Sequence, residues 1–202
     1  MYKLCKTEQS AKRQKHMESE FLALIESKRY DDVTVSELCE RVDMPRKAFY
    51  RYFDTKEDIV LAIIDHTLAD YESYAQSKSR SEKRMVTSEL EMFFAFWQSG
   101  EPRRVLVAIM KNGLEGHLIQ RSINFSATEM PSLKKFMSSE AVSGAEHLFR
   151  FVITGLMSLL LSWFKDGCRE SCREMAEVVK RLVAEPLFPN LEMYGILKVK
   201  AV

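Results

Sequence analysis

An all-α fold is what this 202-residue sequence predicts. Three observations carry that expectation. Apolar residues recur at three- and four-residue steps along most of the chain, no stretch alternates with the period of a strand, and S/T-x-x-E/D signatures mark several helix starts. With a hydrophobic fraction of 46%, the chain is long enough to bury a sizeable core.

Taken in order, residues 1 to 7 read as a loose basic arm. The first helix is predicted over Glu8 to Lys28, with Met17, Phe21, Leu24 and Ile25 inward. Arg29 to Val33 is a link without glycine. Thr34 and Glu37 form a capping box, in which hydroxyl and carboxylate satisfy orphan amides of a helix start. Val35, Leu38, Cys39 and Val42 then give the second helix its apolar face. Asp43 stands where the chain must turn, at a position suited to left-handed backbone. Pro45 opens the third helix, where its missing amide hydrogen costs nothing. That helix carries Arg46, Lys47, Tyr50 and Arg51 on one side with Ala48 among them, leaving Phe49, Tyr52 and Phe53 for the core. A short cationic helix held by an apolar turn is a helix-turn-helix, here about 34–53. Thr55 is the expected N-cap of the fourth helix, Lys56 to Gln76. Asp58 is at its third position, and Lys56 is within reach of a phosphate.

Beyond a polar stretch at 77–83, Val86, Leu90, Phe93, Phe94 and Trp97 make a wide apolar stripe that stops at Ser99 to Pro102. Val105, Leu106, Ile109 and Met110 form the next helix, stopped at Asn112-Gly113. Leu114, Leu118, Ile119 and Ile123 form another, and Asn124 to Pro131 is predicted as a loop. A long helix from about Glu140 carries Ala145, Leu148, Phe149, Val152, Leu156, Leu159, Leu160 and Trp163 and ends at Gly167. A second capping box, Ser171 with Glu174, starts the last helix, whose face is Met175, Val178, Val179, Leu182 and Val183, up to Pro186. The penultimate helix is apolar on too many sides for a lone surface helix. It is therefore placed with the last one in a dimer interface comprising Val152, Leu156, Leu159, Leu160, Trp163, Val178, Val179 and Leu182.

Charge is nearly balanced, 30 Lys and Arg against 29 Asp and Glu for a net +1, so any nucleic-acid footprint must be local. Two basic clusters exist, one at Lys3, Lys6, Lys12, Arg13 and Lys15 and one at Arg46, Lys47, Arg51 and Lys56. On the third helix such charge is either a solvated face or a reader of DNA, and its place after the turn favours the second. Arginine there can hold guanine bidentately. Tyr52 suits either a phosphate or the core. Cys5, Cys39, Cys168 and Cys172 show no metal-site doublet, and no secretory signal is read at the N-terminus. A cytoplasmic location is expected, with no metal and no cofactor. Cys168 and Cys172 lie four apart near a helix start; small residues beside a cap are preferred over a thiol switch. The longest uncharged apolar run, Phe151 to Phe164, is too short to span a bilayer, so no membrane contact is expected. No phosphate-binding glycine loop, nucleophile elbow or zincin helix occurs, and no catalytic residue is assigned.

The run from Thr7 to His66 resembles the DNA-binding domain of the tetracycline-repressor-like (TetR) family of bacterial regulators. The matching pieces are TVSELCERV, AFYRYF and TKEDIVLAI. Around the turn, where the family usually has Gly, Ser and a small residue, this chain has Asp43, Pro45 and Lys47. Ala48 replaces a frequent Thr or Ser. The resemblance implies a DNA-binding domain over 1–60 and a helical effector-binding and dimerisation domain over 61–202. It further implies a homodimer that represses from a palindromic operator on double-stranded DNA and answers to a small-molecule effector. On that reading Thr34, Tyr50, Tyr52 and Lys56 touch phosphate, while Arg46, Lys47, Ala48 and Arg51 face the groove. The second half also resembles regulators of the dihydroxyacetone kinase operon type. For the aromatic residues Phe93, Phe94, Trp97, Phe125 and Phe149, core and ligand pocket are both open readings. Asn112, His117 and His147 are the polar groups sought at a pocket's edge. The rival from another class is an adaptor or coactivator of the same fold that binds a protein partner or ligand without specific DNA recognition.

Overall fold

The computed structural model describes residues 2–3, 7–79, 86–129 and 145–184, and those residues are helical with short turns. The helices are α1 (Glu8–Ser27), α2 (Val35–Arg41), α3 (Arg46–Phe49), α4 (Lys56–Ser79), α5 (Val86–Gln98), α6 (Gly100–Lys111), α7 (Glu115–Glu129), α8 (Ala145–Lys165) and α9 (Cys172–Ala184). A 3₁₀ turn at Tyr30–Asp32 follows α1.

Local chemistry sets the helix starts. Thr34 Oγ1 accepts from the Glu37 amide at 3.2 Å, but the Glu37 carboxylate turns to Lys28. Only half of the expected box is therefore the dominant contact, and the Lys28 ammonium holds the Glu37 pKa below its ordinary value. Thr55 and Asp58 complete theirs: Thr55 Oγ1 accepts from the Asp58 amide, and Asp58 accepts from the amides of Asp54 and Thr55. Ser171 and Glu174 do the same at α9. Asp43 has φ +48°, the left-handed backbone its place in the turn requires.

Helices α1, α2 and α3 close on Met17, Phe21, Leu24, Ile25, Leu38 and Phe49, each no more than 3% exposed. The core continues without a break through Ile59, Ile64, Phe94, Trp97, Leu106, Ile109 and Leu160. Helix α4 joins the two regions, packing on α1 at one end and on α5, α6 and α7 along its length, while α9 lies against α5 and α7 against α8.

Four expectations need correcting. Residues 2 and 3 are not a loose arm: Tyr2 Oη donates to Asp65 at 2.8 Å, and the Lys3 amide and ammonium donate to the carbonyls of Tyr52 and Tyr50. Those carbonyls belong to the turn that follows α3, so the N-terminal residues pin that turn to α4. Second, α7 runs through the predicted loop to Glu129, its polar residues bonded within the helix, as Thr128 Oγ1 is to the Asn124 carbonyl at 3.1 Å. Third, Leu160 and Trp163 are buried in the monomer rather than available to a partner. Fourth, Glu146–Lys165 is long and apolar enough in composition to cross a bilayer. One side of it, Met157, Leu160, Leu161 and Trp163, is core. The expected helix start at Glu140 and the stop at Pro186 lie outside the described residues.

The two regions are joined by polar contacts around α4 as well as by apolar packing. Arg121 of α7 grips Asp65 of α4 with both faces of its fork, Arg104 of α6 does the same to Glu26 of α1, and His66 of α4 meets Glu18 of α1 at 2.8 Å. The Glu18 carboxylate keeps the His66 imidazole's pKa above its ordinary value. Asn112, at the end of α6, accepts from the Tyr30 amide at 2.6 Å and donates to the Ile25 and Ala108 carbonyls at 2.9 and 2.8 Å. Because Asn112→Ala leaves two partly buried backbone groups of the N-terminal region unpaired, it is expected to destabilise the protein by about 2 kcal/mol. Urea denaturation measures this, and an unchanged midpoint would show that water replaces the bonds.

Candidate nucleic-acid interface and effector cavity

The surface around α3 is built from its buried side outward. Phe49 is fully buried, with its ring 5.6 Å from that of Phe53 and edge-on to Tyr50 at 5.2 Å. Helix α3 is a single turn of α-helix, and the chain then tightens, with the Tyr52 amide donating to the Phe49 carbonyl at 2.9 Å. With Phe49 inward, Arg46, Lys47, Tyr50 and Arg51 are exposed and Ala48 is half-buried. Among the described residues Arg46, Lys47 and Arg51 have no ion-pair partner, whereas nearby cations do: Lys28 pairs with Glu37, Arg41 with Glu20 and Lys3 with Asp54. Exposed positive charge gathered on one short helix is the electrostatic footprint of a phosphate-binding surface. Thr34 is exposed beside it, and its hydroxyl proton is not used in capping α2.

Two residues of the predicted interface are placed otherwise. Tyr52 is 9% exposed and packs in the core. The Lys56 ammonium donates to the carbonyls of Tyr30, Asp31 and Val33 at 2.8, 3.1 and 3.1 Å and stands 4.4 Å from the centre of the Tyr30 ring. Its three donors are thus spent on the 3₁₀ turn, which replaces the glycine-free link's missing cap. Sequence spacing put this lysine beside a fresh helix start but carried no sign of the turn folding over it.

A cavity of about 710 Å³ opens between α4, α5, α7, α8 and α9. Phe93, Trp97 and Phe125 line it as the aromatic stripe allowed. Phe94 is packed in the core and Phe149 is buried, neither of them in its wall, and Asn112, His117 and His147 are not in its wall either. Asn112 is committed to the N-terminal region, His117 stands 3.7 Å from Glu57, and His147 is exposed. The polar groups of the wall are instead Tyr71, Glu72, Glu89, Ser122, Ser126 and Ser158. Ser122 and Ser126 fall in and next to the stretch read as a loop, and their i, i+4 spacing on a continuous helix was the available signal.

Phe151 and Val152 of α8 and Val178 and Leu182 of α9 stand 65, 46, 40 and 46% exposed, beside half-buried Leu156, Leu159 and Val179. Phe151, Val152 and Leu182 also edge the cavity. Burial raises the thiol pKa of both Cys168 and Cys172, which disfavours thiolate formation. Both are free thiols, and Cys172 Sγ contacts Gln98 Oε1 at 3.2 Å. They read as packing beside the cap.

Residues 22–63, which span the end of α1 to the start of α4, match the family described as bacterial regulatory proteins, tetR family. A stretch of 75 residues is 27% identical to the HTH-type transcriptional regulator EthR of Mycolicibacterium smegmatis. That stretch is 35% of this chain and 35% of EthR, so the likeness spans about a third of the curated relative. Among solved structures, the fatty acid degradation regulator FadR from Bacillus halodurans superposes with a TM-score of 0.57 at 13% identity, over 87% of this chain and 96% of its own. The dihydroxyacetone kinase operon activator DhaS gives 0.50 at 16%, over 93% and 98%. At these identities the two structures share the fold, C-terminal helices included.

Proposed function

We propose that this chain, whose residues 22–63 match the tetR family of bacterial regulatory proteins, is a homodimeric repressor of transcription of that family that holds a palindromic operator through α3 and responds to a small molecule in the C-terminal cavity. The observation that carries the reading is the set of Arg46, Lys47 and Arg51, exposed and without an ion-pair partner among the described residues, beside the buried Phe49. Bases are read by such side chains in the major groove, and phosphate contacts from Thr34 and Tyr50 set the register. Support for pairing comes from α8, an apolar helix whose Phe151, Val152 and Leu148 stand exposed in the monomer. Covering that face and the exposed side of α9 with a second copy removes it from water. Two α3 turns related by a two-fold axis then demand an inverted repeat in the DNA.

The cavity shares Phe151, Val152 and Leu182 with that face, so an occupant bears on the packing of the two copies. It also lies against α4 and α7, whose Asp65–Arg121 grip ties them to each other and, through Tyr2, to the N-terminal residues that hold the turn after α3. A molecule that shifts α4 relative to α7 therefore changes where α3 is presented. The test is to remove the positive charge of α3 in the intact chain. A protein that keeps its full affinity for duplex DNA without Arg46 and Lys47 does not work this way.

A further inference from the structure

Two residues ahead of α1 reach across the fold to the backbone that follows α3. Lys3 binds that turn at three points. Its amide donates to the Tyr52 carbonyl at 2.8 Å, and its ammonium donates to the Tyr50 carbonyl at 2.6 Å and pairs with Asp54 at 3.0 Å. Arg51, one of the exposed cations proposed to meet DNA, lies between the two residues whose carbonyls are held. The neighbouring Tyr2 is fixed to α4. Its Oη donates to Asp65 at 2.8 Å, and its ring stands edge-on to that of His66 with centroids 6.2 Å apart. Burial, and after it the Asp65 carboxylate, push the Tyr2 phenol's pKa above its ordinary value, so the hydroxyl keeps its proton and remains a donor. Asp65 is in turn held by two guanidinium nitrogens of Arg121 from α7. The turn after α3 needs such support. Helix α3 is Arg46–Phe49 alone, and a lone helical turn is marginal because few hydrogen bonds offset its ordering.

We propose that Tyr2 and Lys3 are positioning residues for DNA recognition: Tyr2 anchors the pair to α4, and Lys3 holds the turn after α3 so that Tyr50 and Arg51 are presented for binding. This inference rests on reading α3 as the surface that meets DNA. Binding then draws on the fraction of molecules whose turn is already in place, and loosening the anchor weakens the apparent Kd by the fraction lost. Neither residue has to touch DNA to do this.

The test uses the full chain and, as probe, the duplex that the unaltered chain enriches from a random pool, with a scrambled duplex of equal length as reference. Anisotropy reads both. Tyr2→Phe keeps the ring and removes the bond to Asp65, so it is expected to weaken the selected duplex about fivefold and the scrambled one by less than about twofold. Lys3→Met is expected to do the same, while Lys3→Arg, which keeps a cationic donor, retains the parent's affinity. Tyr2→Phe combined with Lys3→Met should cost less than the product of the two single effects, because both release one strap. If Lys3 is a phosphate contact instead, Lys3→Met weakens both duplexes alike and lowers the salt slope by about one, which overturns its positioning role. Unchanged affinity in Tyr2→Phe overturns the anchor, as does an equal loss on both duplexes together with a lower melting point. If the unaltered chain selects a duplex that the Arg46 and Lys47 alanine variant loses, but Tyr2→Phe and Lys3→Met both keep it in full, the positioning role alone falls. If the unaltered chain selects no duplex, the DNA reading falls and the positioning role with it.

Discussion

Replacing Arg46 and Lys47 together with alanine is expected to weaken binding to the operator by on the order of a hundredfold, with no change in helicity or melting point. Each well-made contact to a base edge is worth about 1–3 kcal/mol, and two lost at about 1.4 kcal/mol each give that factor. The fold should not notice, because both side chains are exposed and neither has an ion-pair partner among the described residues. Fluorescence anisotropy with a labelled duplex measures the loss. Scrambled duplex should be affected less, since it never enjoyed the base contacts. An equal loss on both duplexes would make the two residues phosphate contacts, and no loss on either would remove α3 from the interface.

On the proposed pairing through α8 and α9, placing glutamate at both Phe151 and Leu182 is expected to leave a single chain of 23.5 kDa in solution. These side chains are 65% and 46% exposed in the monomer, so charging them costs the single chain little, whereas in a two-fold contact each faces apolar neighbours and its own copy. Sedimentation equilibrium reads the mass directly. Operator binding should fall with it, by roughly a hundredfold or more, because two half-sites held by separate chains lose the benefit of linkage. A variant that remains dimeric would move the interface away from α8 and α9.

What was legible in the sequence follows from how far each contact reaches along the chain. Thr55 with Asp58 and Ser171 with Glu174 satisfy amides three residues away, so their spacing alone placed the starts of α4 and α9. Asp43 was legible for the same reason, since a turn between two short helices leaves few residue types that accept φ +48°. The long-range contacts left no such trace. Asn112 looked like a helix stop, which it is, and nothing near it reveals that its amide also bonds residues 25 and 30. Lys56 sits where an anion would be welcome, yet the carbonyls it binds come from 23 to 26 residues earlier. Leu160 and Trp163 share the apolar stripe of α8 with Leu156 and Leu159, and periodicity does not tell which edge of a wide stripe faces the monomer core. The aromatic stripe of α5 left core and cavity both open for Phe93 and Trp97, and a serine within a helix has no pattern that announces a buried, unpaired hydroxyl. Ser122 had to be found in three dimensions.

Selection of bound sequences from a random duplex pool, with the purified full chain at about 0.15 M salt where non-specific attraction is weakened, bears most directly on the claim that α3 of two copies reads DNA. The expected result is enrichment of one inverted repeat, its half-sites separated by about one helical turn or a multiple of it, and lost from the pool when Arg46 and Lys47 are alanine. A pool that stays random, retained only as salt is lowered, would contradict specific recognition and favour an adaptor built on the same fold.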